Sequence, residues 1–406
     1  MIQRRSREHT IFTVATILLL AAVVSASLQD KKPKAFPHVP RPFFLSHRGS
    51  RFLAPENTIG AFKSVLGMGG GILEFDIRLT TDEQLVVYHD EYVNRTTNGE
   101  GKVIDFTLEE IRKLDAAYKF ADSDGNFPSR GKGIVVPTLT EVLEEFWGKP
   151  RTLTKTDVNM NIEIKDADNL AAELLYLMLA KYPKSEEHVV VVSNFCGPLE
   201  ILHKLSVNHP IPTGACEKSA TRFVLYHKMN DLTRPLFELG KLVYGEESIL
   251  SDVHSAYQIP VEISGLDLST PELIREAHHV GKETHYWVVN SKSKMIELLT
   301  HGKTDAIITD RTDVAIQVWK ELNLPMPKLE KAKQHYQQHA SEIIIPPIIF
   351  EEGHTCVTVL CKALAHLKLV LVFTLIISIA VSCQICWYCC AGPLMILGST
   401  RKLKKD

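Results

Sequence analysis

Four stretches of the sequence carry residue types that can hold ions and move protons. The apolar run Phe43-Phe44-Leu45-Ser46 ends in His47-Arg48-Gly49, and Pro55-Glu56-Asn57-Thr58 follows shortly after. A histidine beside an arginine at the carboxyl end of a strand stands where a barrel presents its chemistry. In Leu73-Glu74-Phe75-Asp76 the two carboxylates are two residues apart. On a strand they share one face, so both can be offered to one cation. Leu85-Val86-Val87-Tyr88 delivers a second histidine, His89, followed by Asp90, and Asn161-Ile162-Glu163-Ile164-Lys165 puts Glu163 and Lys165 on one face by the same period-two logic. Any one of these fragments is an ordinary strand end with a charged edge. Their recurrence in this order marks a candidate site.

The elements that must position these residues alternate along the middle of the chain. Short apolar, β-branched runs occur at 42–46, 72–77, 85–88, 160–164, 188–192, 211–214, 261–265, 284–289 and 305–309. Helical spacing appears between many of them, at 108–114, 170–181, 198–205, 271–279 and 292–299. Alternation of strand and helix implies parallel strands with crossover helices, and 43–320 has the length of one eight-stranded barrel with insertions. Two stretches break the rhythm. Residues 119–136 are rich in Asp, Gly, Asn and Pro and read as an inserted loop. Residues 216–259 are amphipathic and read as a helical pair covering the barrel or as a lipid-facing cap over the active site.

With its motifs in hand, the chain closely resembles the glycerophosphodiester phosphodiesterase family. The resemblance runs from His47-Arg48-Gly49 through Glu56-Asn57, Glu74-Phe75-Asp76, Thr80-x-Asp82, His89-Asp90, Arg95-Thr96-Thr97 and Asn161-x-Glu163-x-Lys165 to Trp287-Val288-Val289-Asn290 and Asp305 to Asp310. It implies a TIM (β/α)8 barrel with a small insertion after the second strand, within residues 90–137. It also implies hydrolysis of glycerophosphodiesters to an alcohol and glycerol phosphate. Carried over motif by motif, His47 and His89 become the acid/base pair, and Glu74, Asp76 and Glu163 ligands of a divalent cation, Mg²⁺ or Ca²⁺. Arg48 and Lys165 would offset phosphate charge, as an anionic diester requires before a nucleophile can approach. Glu56 and Asn57 would orient substrate or cap the first helix, and Trp287 would contact the organic part of the substrate or pack. His278, His279, His285 and His301 lack carboxylates at matching spacing and are assigned to packing or surface.

The chain is otherwise balanced, with 46 Lys+Arg against 48 Asp+Glu and 45% apolar residues, which excludes a basic nucleic-acid binder and a disordered acidic tail. The ends differ. Residues 1–26 have a basic start, an apolar run from Ile11 to Val24 and small residues after it, as in a secretory signal or an uncleaved signal anchor. After a linker at 321–368, residues 369–389 are uncharged and long enough for a transmembrane helix, and the tail 390–406 is basic, placing it in the cytosol. Lys402-Leu403-Lys404-Lys405-Asp406 has the spacing of a dilysine signal for retrieval to the endoplasmic reticulum, which a basic stop-transfer tail also produces. Such a chain looks like the membrane-anchored, lysophospholipase D-like branch of the family. Its substrate would be a lysophospholipid or glycerophospho-N-acylethanolamine, its deacylated alternatives glycerophosphocholine or glycerophosphoinositol. A catalytically silent, membrane-bound lipid-binding barrel is the reading from another class. Asn94-Arg95-Thr96 is a glycosylation sequon that requires a lumenal or extracellular barrel. The cysteines crowd at 356–390, where palmitoylation fits better than zinc, and only Cys196 and Cys216 lie in the middle, which excludes a dense disulfide framework there.

Overall fold

A computed structural model describes residues 34–150, 158–207, 209–229, 253–326 and Tyr336. The expected signal, transmembrane helix and basic tail lie outside these residues, as do the linker apart from 321–326 and Tyr336 and most of 216–259. No helix among the described residues is long and apolar enough to cross a membrane.

The chain order is β1 (Phe43–Ser46), α1 (Ile59–Met68), β2 (Ile72–Leu79), β3 (Leu85–Val87), α2 (Leu108–Ile111), α3 (Leu139–Trp147), β4 (Asn159–Ile164), α4 (Asn169–Leu179), α5 (Ser185–His188), β5 (Val189–Val192), α6 (Cys196–Leu205), α7 (Glu217–Lys228), β6 (Ala256–Pro260), β7 (Glu262–Ile263), β8 (Leu266–Asp267), α8 (Pro271–His279), β9 (Glu283–Trp287), α9 (Lys292–Glu297), β10 (Ala306–Thr309) and α10 (Thr312–Glu321). Parallel pairing runs β5-β4-β2-β1-β10-β9-β6. Thr213 bridges in parallel to Val191 and Gly214 to Ala256, so a two-residue stave closes the ring between β5 and β6. This is the TIM-like α/β barrel that strand–helix alternation implies.

Two strand expectations are corrected. Residues 85–88 are not a stave: β3 pairs antiparallel with the far end of β2, Ile77 opposite Val87 and Leu79 opposite Leu85. Residues 261–265 are not a stave either. The stave is β6, and 262–267 form the short antiparallel hairpin β7-β8. Polar Gln258 interrupts the apolar character of β6, while Val261 and Ile263 imitate strand alternation on a hairpin whose Ile263 is exposed. The helix expected at 108–114 stops at Ile111.

Local signals set the helix ends. Thr58 caps α1 by accepting from Ala61 N, and Thr138 forms a reciprocal capping box with Glu141 at α3. The outward faces of β2, β4 and β5 pack with α1, α3, α4 and α6, and those of β6, β9 and β10 with α7, α8 and α10. Phe223 of α7 is buried and stacks on Tyr257 of β6 at 4.1 Å, so this face of the helix covers the barrel. Inside the ring, Phe43, Leu45, Ile72, Val190, Val192, Ala306 and Ile308 cluster with Ala35, Phe36 and Val39. The segment before β1 thus plugs the amino-terminal end. Arg41 holds it by donating to the carbonyls of Ala35, Phe36 and Val39 and to Glu283. Chemistry is left to the carboxyl ends of the strands.

Candidate active site

Side chains alternate along each stave, so the inward column of β1 runs Phe43, Leu45, His47 and that of β2 runs Ile72, Glu74, Asp76. Each column is apolar at the plugged end and charged at the open end. In the middle layer Gln258 Nε2 donates to Asn161 Oδ1 at 2.7 Å and meets His285 Nδ1 at 3.2 Å, tying opposite walls together. Above it is a cavity of about 230 Å³ lined by His47, Arg48, Glu74, His89, Glu163 and Lys165 on one side, and by Val192, Ala215, Trp287, Val288 and Ile308 on the other. A larger cavity of about 400 Å³ borders Cys196 and Cys216 and holds none of those charged residues.

His47 and Arg48 lie in a 3₁₀ turn directly after β1. His47 Nδ1 is 2.6 Å from Asp310 Oδ1, at the carboxyl end of β10. Asp310 is itself fixed by Asn290 Nδ2 at 2.9 Å and Arg51 Nε at 2.9 Å. Burial opposes charge on His47, yet the nearby Glu74 and the Asp310 hydrogen bond prevail and raise its pKa above the ordinary value. His89, which follows β3, sets Nδ1 2.6 Å from Asp90 Oδ1. Tyr88 N donates to Asp76 O at 3.0 Å, which locks this segment against β2.

Ligand atoms of Glu74, Asp76 and Glu163 all lie within 4.8 Å of one another. Register explains it: β2 and β4 are parallel with Asp76 opposite Glu163, and Glu74 lies two residues earlier on the same face. Arg48 N donates to Glu74 Oε2 at 2.8 Å, and Asn57 Nδ2 to Asp76 Oδ2 at 2.9 Å. Lys165 Nζ is 2.7 Å from Glu163 Oε1 and 3.2 Å from Asp76 Oδ1. Burial works against an ionised Asp76, but Lys165, Arg48, His89 and the Asn57 hydrogen bond hold its carboxyl well below the usual range. Glu74 goes the other way. Burial, reinforced by the Asp76 and Glu163 charges, pushes it up to about 7. A Glu74 carboxyl that burial and two neighbouring carboxylates drive toward its neutral form, and an Asp76 Oδ1 that faces Lys165 as an ion pair but accepts no hydrogen bond, fit a divalent cation. An all-oxygen donor set favours a hard ion over zinc.

Of the remaining residues singled out in sequence, Glu56 stands behind the cavity, 3.1 Å from Arg48 Nη1. Trp287 is 41% exposed at the cavity mouth. Asn94 is exposed on the insertion and does not line the cavity. Three contributors had no role assigned in sequence: Asp310, Asn290 and Arg95. Asp310 repeats the signal that exposed His47, a polar residue directly after an apolar strand. Cys196 and Cys216, which open α6 and α7, form a disulfide.

A parallel barrel with two carboxylate-backed histidines and an acidic triad at its carboxyl-terminal mouth is an arrangement that can hold a cation and move protons at an anionic ester. The profile of the glycerophosphoryl diester phosphodiesterase family matches residues 47–314, and the chain belongs to that family. It is accordingly a glycerophosphodiester phosphodiesterase. A glycerophosphodiester phosphodiesterase of Caldanaerobacter subterraneus is 32% identical over 274 residues, covering 68% of this chain and 96% of that one. Human glycerophosphodiester phosphodiesterase 1 is 33% identical over 149 residues, 37% of this chain and 41% of that one. Among solved structures, a Silicibacter pomeroyi glycerophosphoryl diester phosphodiesterase superposes with a TM-score of 0.51 at 24% identity, covering 73% of this chain and 98% of that one. A phosphodiesterase of Oleispira antarctica, solved with the product sn-glycerol-3-phosphate, gives 0.50 at 20% identity, covering 69% and 97%. These two likenesses concern the fold.

Proposed function

We propose that the enzyme cleaves the phosphodiester of single-chain glycerophospholipids, releasing an alcohol, with His47 and His89 as the proton-transfer pair and Glu74, Asp76 and Glu163 as ligands of Mg²⁺ or Ca²⁺. The observation that carries this reading is the pair of histidine–carboxylate contacts, each 2.6 Å long, on residues that line one cavity with the carboxylate triad. One imidazole removes the proton of the attacking water or of a neighbouring substrate hydroxyl. The other gives a proton to the leaving alkoxide oxygen as its bond to phosphorus breaks. Arg48 and Lys165 would offset the charge of the non-bridging oxygens, and a divalent cation held by Glu74, Asp76 and Glu163 would supply further charge neutralisation there.

Two features bear on the lipid part. Val192, Ala215, Val288 and Ile308, interrupted by Ser193, Asn194 and Gln258 and with Trp287 at the mouth, offer some apolar surface to hydrocarbon. The volume of about 230 Å³, below the roughly 300–1,000 Å³ that encloses a drug-sized ligand, suits a glycerol phosphate core with the chain leaving past Trp287. That volume also favours the second reading, hydrolysis of deacylated glycerophosphodiesters. The exposed Asn94 sequon, the Cys196–Cys216 disulfide and the apolar ends together support a membrane-tethered enzyme with a lumenal or extracellular barrel. The test compares lysophosphatidylcholine with glycerophosphocholine on the full chain in detergent. A higher kcat/KM for the acylated substrate, reduced in Trp287→Ala, supports the lipid reading; equal or better turnover of the deacylated one overturns it.

A further inference from the structure

The insertion contributes a residue to the site that does not touch the cavity. After β3 the chain makes a 3₁₀ turn at Val93–Arg95, and its carbonyl at Val93 accepts from Tyr88 Oη at 3.0 Å and from Thr97 Oγ1 at 2.7 Å. Thr96 Oγ1 also meets Tyr88 Oη, at 2.6 Å. The turn is thereby tied to the residue immediately before His89. From it projects Arg95, whose guanidinium makes two forks. Nε and Nη2 reach Asp90 Oδ2 and Oδ1 at 2.5 and 3.2 Å. Nη1 and Nη2 reach Glu56 Oε2 and Oε1 at 2.8 and 2.7 Å. Asp90 is the carboxylate on His89 Nδ1, and Glu56 is the carboxylate on Arg48 Nη1.

Isolated surface ion pairs contribute little, but bidentate arginine–carboxylate pairs in a network fix geometry as well as energy. Here the Glu56 carboxylate is only 11% exposed, whereas the Arg95 side chain is 43% exposed. A lysine in its place offers a point charge and no planar fork.

We propose that Arg95 is a positioning residue for His89. By gripping Asp90 and Glu56 in one plane it holds Asp90 on Nδ1, so that Nε2 is the nitrogen presented to the cavity, and it joins the insertion to the loop after β1. The proposal rests on the reading of His89 as a proton-transfer group.

Arg95→Ala, Arg95→Lys and the control Lys113→Ala, which breaks an exposed pair with Glu109 on the same insertion, are compared in the full chain. Substitution at 95 leaves Asn94 and Thr96 of the sequon in place. The expected result is a kcat about ten- to a hundredfold lower for Arg95→Ala, with KM nearly unchanged and no recovery in Arg95→Lys. Because Arg95 is half exposed, added guanidinium restores part of kcat to Arg95→Ala and none to His89→Ala. Nitrogen-15 NMR of the His89 ring shows the Nδ1–H tautomer in wild type and loss of that preference in Arg95→Ala. Unchanged kcat with an unchanged tautomer overturns the proposal, as does a loss that guanidinium does not relieve and that follows a fall in Tm. Should wild type cleave no glycerophosphodiester, the catalytic reading of His89 fails, and the tautomer alone decides whether Arg95 holds Asp90: no change overturns it.

Discussion

Glu74 is the residue on which the electrostatics of the site turn. Its ionised form is disfavoured by burial and by two neighbouring carboxylates, so its pKa stands at about 7 instead of 4.5. A raised carboxylate pKa means that the folded chain without cation binds this proton more tightly than the unfolded chain does. Stability is therefore lost as pH rises from about 4.5 to about 7, and a cation bound above that range restores it. Proton and cation compete for the same oxygens. The increase in Tm on adding Mg²⁺ or Ca²⁺ is expected to be larger at pH 8 than at pH 6, and Glu74→Gln to abolish that difference; equal shifts at both values count against Glu74 as a ligand. At this scale the Glu74–Asp76 pair is legible because period two places both on one face, whereas Glu163 joins them only through the family resemblance, its own pattern pairing it with Lys165. Asp310 was not assigned a role, because its contact with His47 spans 263 residues of sequence and exists only once β10 lies beside β1.

The turn after β1 shows how an element positions chemistry. Gly49 has φ +74°, and a Cβ there would lie 2.8 Å from Ala61 Cβ and 2.9 Å from Phe62 Cδ1. Both atoms belong to α1, which packs directly under the turn that carries His47 and Arg48. Gly49→Ala is expected to destabilise the fold by more than about 1 kcal/mol in urea denaturation, since a left-handed conformation and a clash act together. It should also lower kcat by displacing His47; wild-type stability would show that the turn relaxes freely. Elements with strong β-branched runs were legible from their alternation. β6 escapes the pattern because a buried strand that turns polar Gln258 into the middle layer and Tyr257 outward onto Phe223 lacks the apolar run that the hairpin next in sequence imitates. The stave at 213–214 is shorter still, yet its residues 211–214 were found from their apolar character.

For the molecule as a whole, the barrel is plugged at one end by residues before β1 and open at the other, where the active site sits. The loops after β5 and after the 213–214 stave supply Ser193, Asn194 and Ala215 to the cavity, and the Cys196–Cys216 disulfide ties them together across a sequence separation of 20 residues. Closing a loop of this size is worth about 3 kcal/mol. Cys196→Ser/Cys216→Ser is expected to lose roughly that much in urea denaturation, and dithiothreitol to produce the same loss in wild type but none in the double variant. No difference between oxidised and reduced wild type would remove the staple from this account. Sequence showed two isolated cysteines in the middle of the chain, but their pairing required the closed ring that brings β5 beside residue 213.

The central claim is that two histidines and a cation-binding carboxylate triad hydrolyse a glycerophosphodiester in one cavity. It is tested most directly by glycerol phosphate release from a glycerophosphodiester by the full chain, before and after chelation and after Mg²⁺ or Ca²⁺ is restored, for wild type and His47→Ala. Wild type is expected to show activity that chelation removes and the cation returns, and His47→Ala a loss of at least about a hundredfold at any cation concentration. Turnover that survives chelation, or a His47→Ala enzyme as active as wild type, would contradict the claim.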